Sequence, residues 1–239
     1  MNLILPMAGG GTRFLKGGFE CPKPLLTLQG RPFFQWAAES VLQTLQPRRL
    51  RFVVLRAHVE RFSIDRRIRE VYPDAEVIVL EAVTAGAVLT CLAGCEGLPE
   101  QEPVLFNDCD HYFRCEGLAS LDTQTDGALL TFRSRDPRFS FAALDGEGRV
   151  LRTAEKDPIS DRAICGAYYF GSAGVFRAAA ARYLESCTQS EFFMSGVYNE
   201  LLAARCAVWA LETQVHVSFG TPEEYAAAQQ DPRLKEAEA

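Results

Sequence analysis

Leu3-Ile4-Leu5-Pro6-Met7-Ala8-Gly9-Gly10-Gly11-Thr12-Arg13-Phe14, followed by Pro22-Lys23-Pro24-Leu25-Leu26, decides how this chain is read. The apolar run at its start has the character of a buried strand. The three consecutive glycines that follow form a tight turn, where backbone can approach a ligand with no Cβ in the way. N–H groups in such a turn can point at anionic oxygens, and Arg13 and Lys23 bring positive charge to the same place. The turn lacks the third spaced glycine of a dinucleotide fingerprint, and no Gly-Lys-[Ser/Thr] closes it as in a Walker A loop. Strand, turn and cations together describe a cradle for a nucleotide's phosphates. Ala8, Gly9, Gly10, Gly11 and Thr12 are its nucleotide-binding stretch.

Working outward, short apolar runs alternate with helical patterns: strand 2 to 7, helix 33 to 45, strand 51 to 56, helix 58 to 71, strand 75 to 81, helix 85 to 95 and strand 103 to 107. Such a β-α series predicts an α/β fold, a Rossmann-like mixed, mainly parallel sheet with helices on both faces. The second half changes character. Strands are expected over 127 to 134 and 140 to 155, the latter broken into a hairpin by Asp145-Gly146-Glu147-Gly148. Then come a strand from 164 to 170, a helix from 173 to 185, a shorter helix from 197 to 205, and a strand pair from 206 to 212 and 215 to 219. No linker divides the halves, so the expectation is a single domain over 1 to 230 with a polar tail over 231 to 239 that frays.

The chain has 239 residues, 48% of them hydrophobic and 23% charged, which is material for a full globular core. No apolar run reaches the roughly 18 residues needed to span a bilayer, and Met1-Asn2-Leu3 leads into a strand instead of the basic start of a secretory signal. A cytoplasmic protein without a membrane partner is expected. The eight cysteines contain no Cys-x-x-Cys pair, which argues against a structural zinc or a disulfide framework. A net charge of −6 argues against a nucleic-acid partner, which calls for a basic face. It does not disfavour a nucleotide, because a few local donors and cations outweigh a screened average charge.

Leu105-Phe106-Asn107-Asp108-Cys109-Asp110-His111 puts two carboxylates two apart just as an apolar strand ends, with Asn107 as a third oxygen donor beside them. Mg²⁺ takes one or two carboxylates completed by water and substrate phosphates, so Asp110 and Asp108 are the candidate metal ligands. This motif and the glycine turn both fall at the carboxyl ends of strands, the edge at which such sheets bind ligands.

Pro-Met-Ala-Gly-x-Gly-[Ser/Thr]-Arg-Phe and then Pro-Lys-Pro-Leu resembles the signature of the nucleotidylyltransferase family, the sugar-1-phosphate nucleotidylyltransferases and related cytidylyltransferases. The resemblance implies their nucleotide-diphospho-sugar transferase fold, of GT-A-like type. It also implies an NTP and a phosphorylated small-molecule acceptor as substrates, Mg²⁺ as cofactor, and transfer of a nucleoside monophosphate with release of pyrophosphate. By the same resemblance Arg13, Lys23 and Asp110 are catalytic: Arg13 on the leaving pyrophosphate, Lys23 near the transferred phosphoryl, and Asp110 on the metal in an Asp-x-x-Phe-like context. Asp108 is the second candidate for the metal and a nucleotide-side residue. Thr84-Ala85-Gly86-Ala87 stands where relatives hold the base, which makes Gly86 nucleotide-binding. Glu155-Lys156-Asp157-Pro158 resembles the family's Glu-Lys-Pro element and Gly166-Ala167-Tyr168-Tyr169-Phe170 its glycine-aromatic strand, so Glu155, Lys156 and Gly166 fall to the acceptor. Asn199 lies in a segment similar to an acceptor-side helix, which a plain amphipathic helix explains nearly as well.

The chain departs from the family at one place. Where relatives carry Trp-x-Asp-x-Gly-Thr, it has Val217-Ser218-Phe219-Gly220-Thr221-Pro222, with Ser218 at the acidic position. That leaves the metal with fewer protein ligands and adds weight to a cytidylyltransferase acting on a non-sugar phosphate beside the leading reading, a sugar 1-phosphate. A catalytically silent nucleotide-binding domain is the third alternative. The acceptor phosphate is ionised at neutral pH, so no general base is required, and His58 and His216 are assigned to structure. Relatives often self-associate, which makes a homo-oligomer compatible with the reading.

Overall fold

Leu3, Ile4 and Leu5 are wholly buried because the strand they form, β1 (Asn2–Pro6), is an interior strand of the sheet. The computed structural model describes residues 1–122 and 124–236. After β1 come α1 (Thr12–Lys16), the small ladder β2 (Thr27–Leu28) and β3 (Arg31–Pro32), α2 (Phe33–Leu42), β4 (Arg49–Leu55), α3 (Arg56–Phe62), α4 (Ile64–Val71), β5 (Glu76–Leu80), α5 (Ala87–Gly94) and β6 (Val104–Asn107). The second half adds β7 (His111–Arg114), β8 (Gly127–Arg133), β9 (Ser140–Leu144), β10 (Val150–Glu155), β11 (Arg162–Phe170), α6 (Ala173–Ser186), α7 (Met194–Ala203), β12 (Val208–Glu212), β13 (Val215–Ser218), α8 (Pro222–Ala228) and α9 (Pro232–Glu236).

The main path of the large sheet runs β10-β9-β11-β6-β1-β4-β5, and β8 and β12 join it beside β11. β1, β4, β5 and β6 are parallel, whereas β11 returns antiparallel beside β6. The sheet is therefore mixed and mainly parallel in its first half. Alternation along β1 supplies both faces: Ile4 packs with Val53, Phe106 and Phe176 on one side, and Leu3 and Leu5 with Phe34, Phe52 and Leu105 on the other. A third cluster of Phe14, Phe33, Trp36, Phe219 and Leu234 fastens the glycine turn's helix to the C-terminal segment.

Three expectations are corrected. The helix expected over 58 to 71 is two helices, because Ser63 turns left-handed at φ 52° and its carbonyl accepts from Arg66 and Arg67 N–H. The expected pairing of 206 to 212 with 215 to 219 does not form. Their Thr213-Gln214 connection lacks the Asn or Gly chemistry of a two-residue hairpin; instead β12 runs parallel to β8, and β13 runs antiparallel to β7. Nor does the chain fray at Asp231. α9 buries Leu234 completely; residues 237–239 of the expected tail lie outside the described residues. Among the described residues no helix is long and apolar enough to cross a membrane.

Candidate functional site

β1 ends where Met7 N–H donates to the Val53 carbonyl at 2.8 Å, and the chain then leaves the sheet edge as the glycine turn. Gly11 is left-handed (φ 59°, ψ 26°) and starts α1. Beyond its chain neighbours, a Cβ on Gly9 would meet no atom of the described residues within 4 Å, so open space lies over the turn. The N–H groups of Gly9, Gly10 and Gly11 have no hydrogen-bond partner among the described residues. Phe14 is buried against Phe33, Phe19 and Tyr225 and anchors the turn, while its neighbour Arg13 stays exposed. Pro22 and Pro24 flank Lys23 in a short 3₁₀ turn with Pro24 and Leu25 buried, which fixes the backbone from which the lysine reaches inward.

Lys23 Nζ lies 2.8 Å from Asp110 Oδ2, each side chain about a quarter exposed (26%). Burial opposes both charges, but each partner outweighs it: Asp110 is held below the usual carboxylate range and Lys23 above the usual amine range. The expectation of Lys23 near a transferred phosphoryl and Asp110 on a metal is thus joined by a direct pairing of the two. Asp108, two residues away, has no such partner among the described residues. Burial, then Asp110, push its carboxyl up to about 7 against the pull of Lys23. Gly166 makes this proximity possible. It sits at φ 92° in an irregularity of β11, its carbonyl accepts from Asp108 N–H at 2.9 Å, and a Cβ there would stand 2.7 Å from Asp108 Oδ2.

Asn107 is not a free oxygen donor beside the carboxylates. Its buried amide donates to the Ala37 carbonyl at 2.8 Å, and its Oδ1 lies 2.9 Å from His111 Nε2. Burial lowers His111 to about 4 despite Asp110, and His216, stacked on Phe132, to about 3. Both imidazoles are neutral near pH 7. Ser218 pairs in register with His111, so the position expected to be acidic does lie beside the strand-end carboxylates, with a hydroxyl in place of the acid.

A cavity of about 170 Å³ lies between Arg13, Asp108, Asp110, Ser218, Arg138 and Glu224. Arg138 and Glu224 are absent from the sequence-based candidates. Glu224 closes Thr221-Pro222-Glu223-Glu224, where the Thr221 hydroxyl caps α8 by accepting from Glu224 N–H at 3.2 Å; that is a helix-start signal with no chemical content. Arg138 lies in an irregular segment with no motif, 3.3 Å from Glu224 Oε1. Asp108 also borders a larger cavity of about 610 Å³ walled by Gly9–Gly11, Thr84–Ala87 and Glu191. Gly86 and the glycine turn therefore face one space.

On the other side, Glu155 accepts hydrogen bonds from Ser140 Oγ and, at 2.9 Å, from Ser195 Oγ, and it adds to the charge that raises Asp108. Lys156, left-handed at φ 54°, places Nζ 4.7 Å from the Phe193 ring centroid. Asn199 lines a groove of about 430 Å³ with Glu155, but its amide is engaged at both ends by the Thr153 backbone, at 3.0 and 3.1 Å. Its observed work is to clamp α7 to β10, in contrast to the acceptor contact expected of it.

The charges make a pH prediction. Asp108 in the fold stays protonated to about 7, while the unfolded carboxyl ionises near 4. The unfolded chain therefore binds fewer protons in that window, and this residue's contribution to stability falls as pH rises from about 4 to about 7. Asp108→Asn is expected to remove that slope in urea denaturation with EDTA present, leaving the variant more stable than wild type near pH 8 and equal to it near pH 4. An unchanged slope rejects the placement of Asp108 against Asp110.

No protein-family model matches the chain, and no curated protein matches it. Solved structures do. The nucleoside-diphosphate-sugar pyrophosphorylase from Vibrio cholerae RC9 superposes with a TM-score of 0.84 at 23% identity, over 96% of this chain and 100% of that one. The inositol-1-phosphate CTP transferase from T. maritima gives 0.75 at 12% identity, over 96% and 94%. The chain has the fold that these two proteins share.

Proposed function

We propose that the protein is a nucleotidylyltransferase that moves a nucleoside monophosphate from an NTP to a phosphorylated acceptor, with a sugar 1-phosphate as the leading acceptor and Mg²⁺ as the cofactor. One observation carries the reading: the unpartnered glycine-turn amides, Gly86 and Asp108 border a single cavity, with Lys23 and Asp110 paired beside it. The shared fold with a sugar pyrophosphorylase and a CTP transferase supports it. Ser218 in place of a carboxylate favours a second acceptor class, a non-sugar phosphate with CTP as donor.

In this reaction an ionised acceptor phosphate oxygen forms a bond to the α-phosphorus as the α–β phosphoanhydride bond breaks, and pyrophosphate departs with the electron pair. No proton moves, so the neutral His111 and His216 need no part in it. Two anions about 4 Å apart repel by about 4 kcal/mol per charge pair at an effective dielectric near 20. Arg13 and Lys23 offset that repulsion, and the free glycine N–H groups orient the phosphates.

The donor set fits a hard cation. The Asp108 carboxylate has no hydrogen-bond partner among the described residues and is raised by burial, then by Asp110 and Glu155, against the pull of Lys23, so two adjacent carboxylates share the one lysine that pairs with Asp110. Among the described residues no three acidic, His or Cys side chains form a metal cluster of their own, which suits an ion completed by water and phosphate oxygens. Mg²⁺ held by Asp108 and Asp110 would supply charge neutralisation at the reacting phosphates. Since the ion requires Asp108 ionised, the thermal stabilisation by Mg²⁺ is expected to grow as pH rises through about 7. A flat response counts against Asp108 as a ligand.

The direct test screens the four NTPs against a panel of sugar 1-phosphates and other phosphorylated metabolites for pyrophosphate release. Release with at least one pair, lost in Asp110→Ala, is expected; silence across every pair rejects the activity.

A further inference from the structure

Lys23 touches two parts of the site at once. Its backbone lies against the glycine turn, where a Cβ on Gly11 would stand 3.8 Å from Lys23 Cβ and 3.9 Å from its amide nitrogen. Its ammonium, at the far end of a flexible four-carbon stem, lies 2.8 Å from Asp110 Oδ2. Asp110 is fixed: Phe219 N–H donates to its carbonyl at 2.9 Å, and a Cβ on Gly220 would stand 2.5 Å from Oδ2. The lysine backbone is fixed as well, by Pro22, Pro24 and their short 3₁₀ turn. What can move is the Lys23 side chain, which is 26% exposed.

Two cavities offer this ammonium alternative neighbours. The cavity that Lys23 lines, about 690 Å³, is bordered by Gly9, Gly10 and Gly11, by His58 and Arg61, and by one carboxylate, the exposed Glu20. Asp110 lines the other, about 170 Å³, with Asp108, Glu224, Arg13 and Arg138. A carboxylate oxygen that holds an ammonium at hydrogen-bond distance is closed to a divalent ion, because the two cations would repel at contact range. A polyphosphate on the glycine turn shifts that balance. It offers the ammonium several anionic oxygens on the side where the lysine's own backbone stands, and such bonds are charge-assisted. The inference rests on the nucleotidyl-transfer reading, which supplies both the polyphosphate and the ion.

We infer that Lys23 is a tethered substitute for the divalent cation on Asp110, holding that carboxylate closed to the ion until a triphosphate draws the ammonium toward the glycine turn. Nucleotide and ion then bind with positive coupling, each raising the other's affinity by the same factor. The lysine side chain is the two-state element that both ligands bias. The consequence is an order of assembly: the ion settles with the nucleotide, and the acceptor phosphate does not meet a metal-loaded site that lacks the group to be transferred.

The first test titrates Mn²⁺, which shares the octahedral oxygen preference of Mg²⁺, into the full chain without nucleotide and follows the free ion by electron paramagnetic resonance. Lys23→Gln is expected to bind Mn²⁺ about tenfold tighter than wild type, whereas Lys23→Arg, which keeps the cation, stays within about threefold. Arg13→Gln removes a cation from the wall of Asp110's cavity without touching the pair. It also stays within about threefold of wild type, which separates displacement from general charge. Wild-type affinity in Lys23→Gln, or equal tightening in Arg13→Gln, overturns the inference. The second test needs no variant: wild-type crystals are soaked with each NTP in EDTA. Lys23 Nζ is expected more than about 3.5 Å from Asp110 Oδ2 and within hydrogen-bond distance of a phosphate oxygen. A bound triphosphate beside an intact Lys23–Asp110 pair sinks the coupling and leaves the activity standing. A crevice that stays empty with every NTP sinks the activity, and the coupling with it.

Discussion

Lys23→Ala is expected to lower kcat/KM for pyrophosphate release by about 10³-fold, the size of effect seen when one preorganised donor to a developing anion is removed. Pro22 and Pro24 fix the backbone that aims this lysine, and its ammonium sits 2.8 Å from Asp110. Removing it takes a cation from the reacting phosphates and leaves Asp110 unpaired beside Asp108. Because each side chain of the pair is 26% exposed, water softens that loss, and the expected cost in stability is about 1–2 kcal/mol, below the range for a fully buried pair. The sign with pH follows from Asp110, whose folded value is depressed by Lys23 against the effect of burial. Its contribution is present above the unfolded carboxylate pKa near 4 and is lost as pH falls through its lower folded value. Wild type and variant should therefore differ in urea stability near neutral pH and converge in acid. Turnover within a few-fold of wild type would show that the lysine serves only the fold.

The second large effect concerns stability. Gly86→Ala places a Cβ 2.6 Å from the Phe192 carbonyl oxygen and closer still to its amide nitrogen, on a residue at φ 149°. Neither group can move aside cheaply, since Phe192 N–H donates to the Ala85 carbonyl at 3.1 Å and Val88 N–H to the Phe192 carbonyl at 3.2 Å. Strain and overpacking together are expected to cost about 3 kcal/mol, or a fall in Tm of about 6–12 °C for a chain of this size. Nucleotide binding weakens with it, because Gly86 walls the cavity that the glycine turn also faces. Gly9→Ala is the control. Beyond its chain neighbours, no atom of the described residues lies within 4 Å of its Cβ, so Tm should hold while nucleotide affinity falls. Equal melting of Gly86→Ala and wild type would mean that Phe192 backbone yields freely.

Parallel strands are buried on both faces, so they appear in the chain as continuous apolar runs such as Leu3-Ile4-Leu5 and Phe52-Val53-Val54. That is why the alternating first half was legible residue by residue. Pairing between distant strands leaves no comparable trace. Val208–Glu212 and Val215–Ser218 look like neighbours along the chain, yet their partners are β8 and β7. The candidate site divides the same way. The glycine turn and the Asp108–Asp110 pair are local motifs whose residues act from one stretch of backbone. Arg138 and Glu224 belong to no motif and matter only through the cavity they line.

By itself the sequence determined the sheet's order of burial, the turn that exposes three backbone N–H groups and the carboxylates at a strand end, because each follows from nearest-neighbour chemistry and period. Only the tertiary structure decided that Lys23 meets Asp110 across 87 positions, that Asn107 and Asn199 are held by backbone carbonyls and amides instead of standing free, and that Gly166 admits Asp108 against β11. Those outcomes depend on which distant surfaces pack together, and hydrogen-bond satisfaction and charge pairing in that packing are properties of the folded whole.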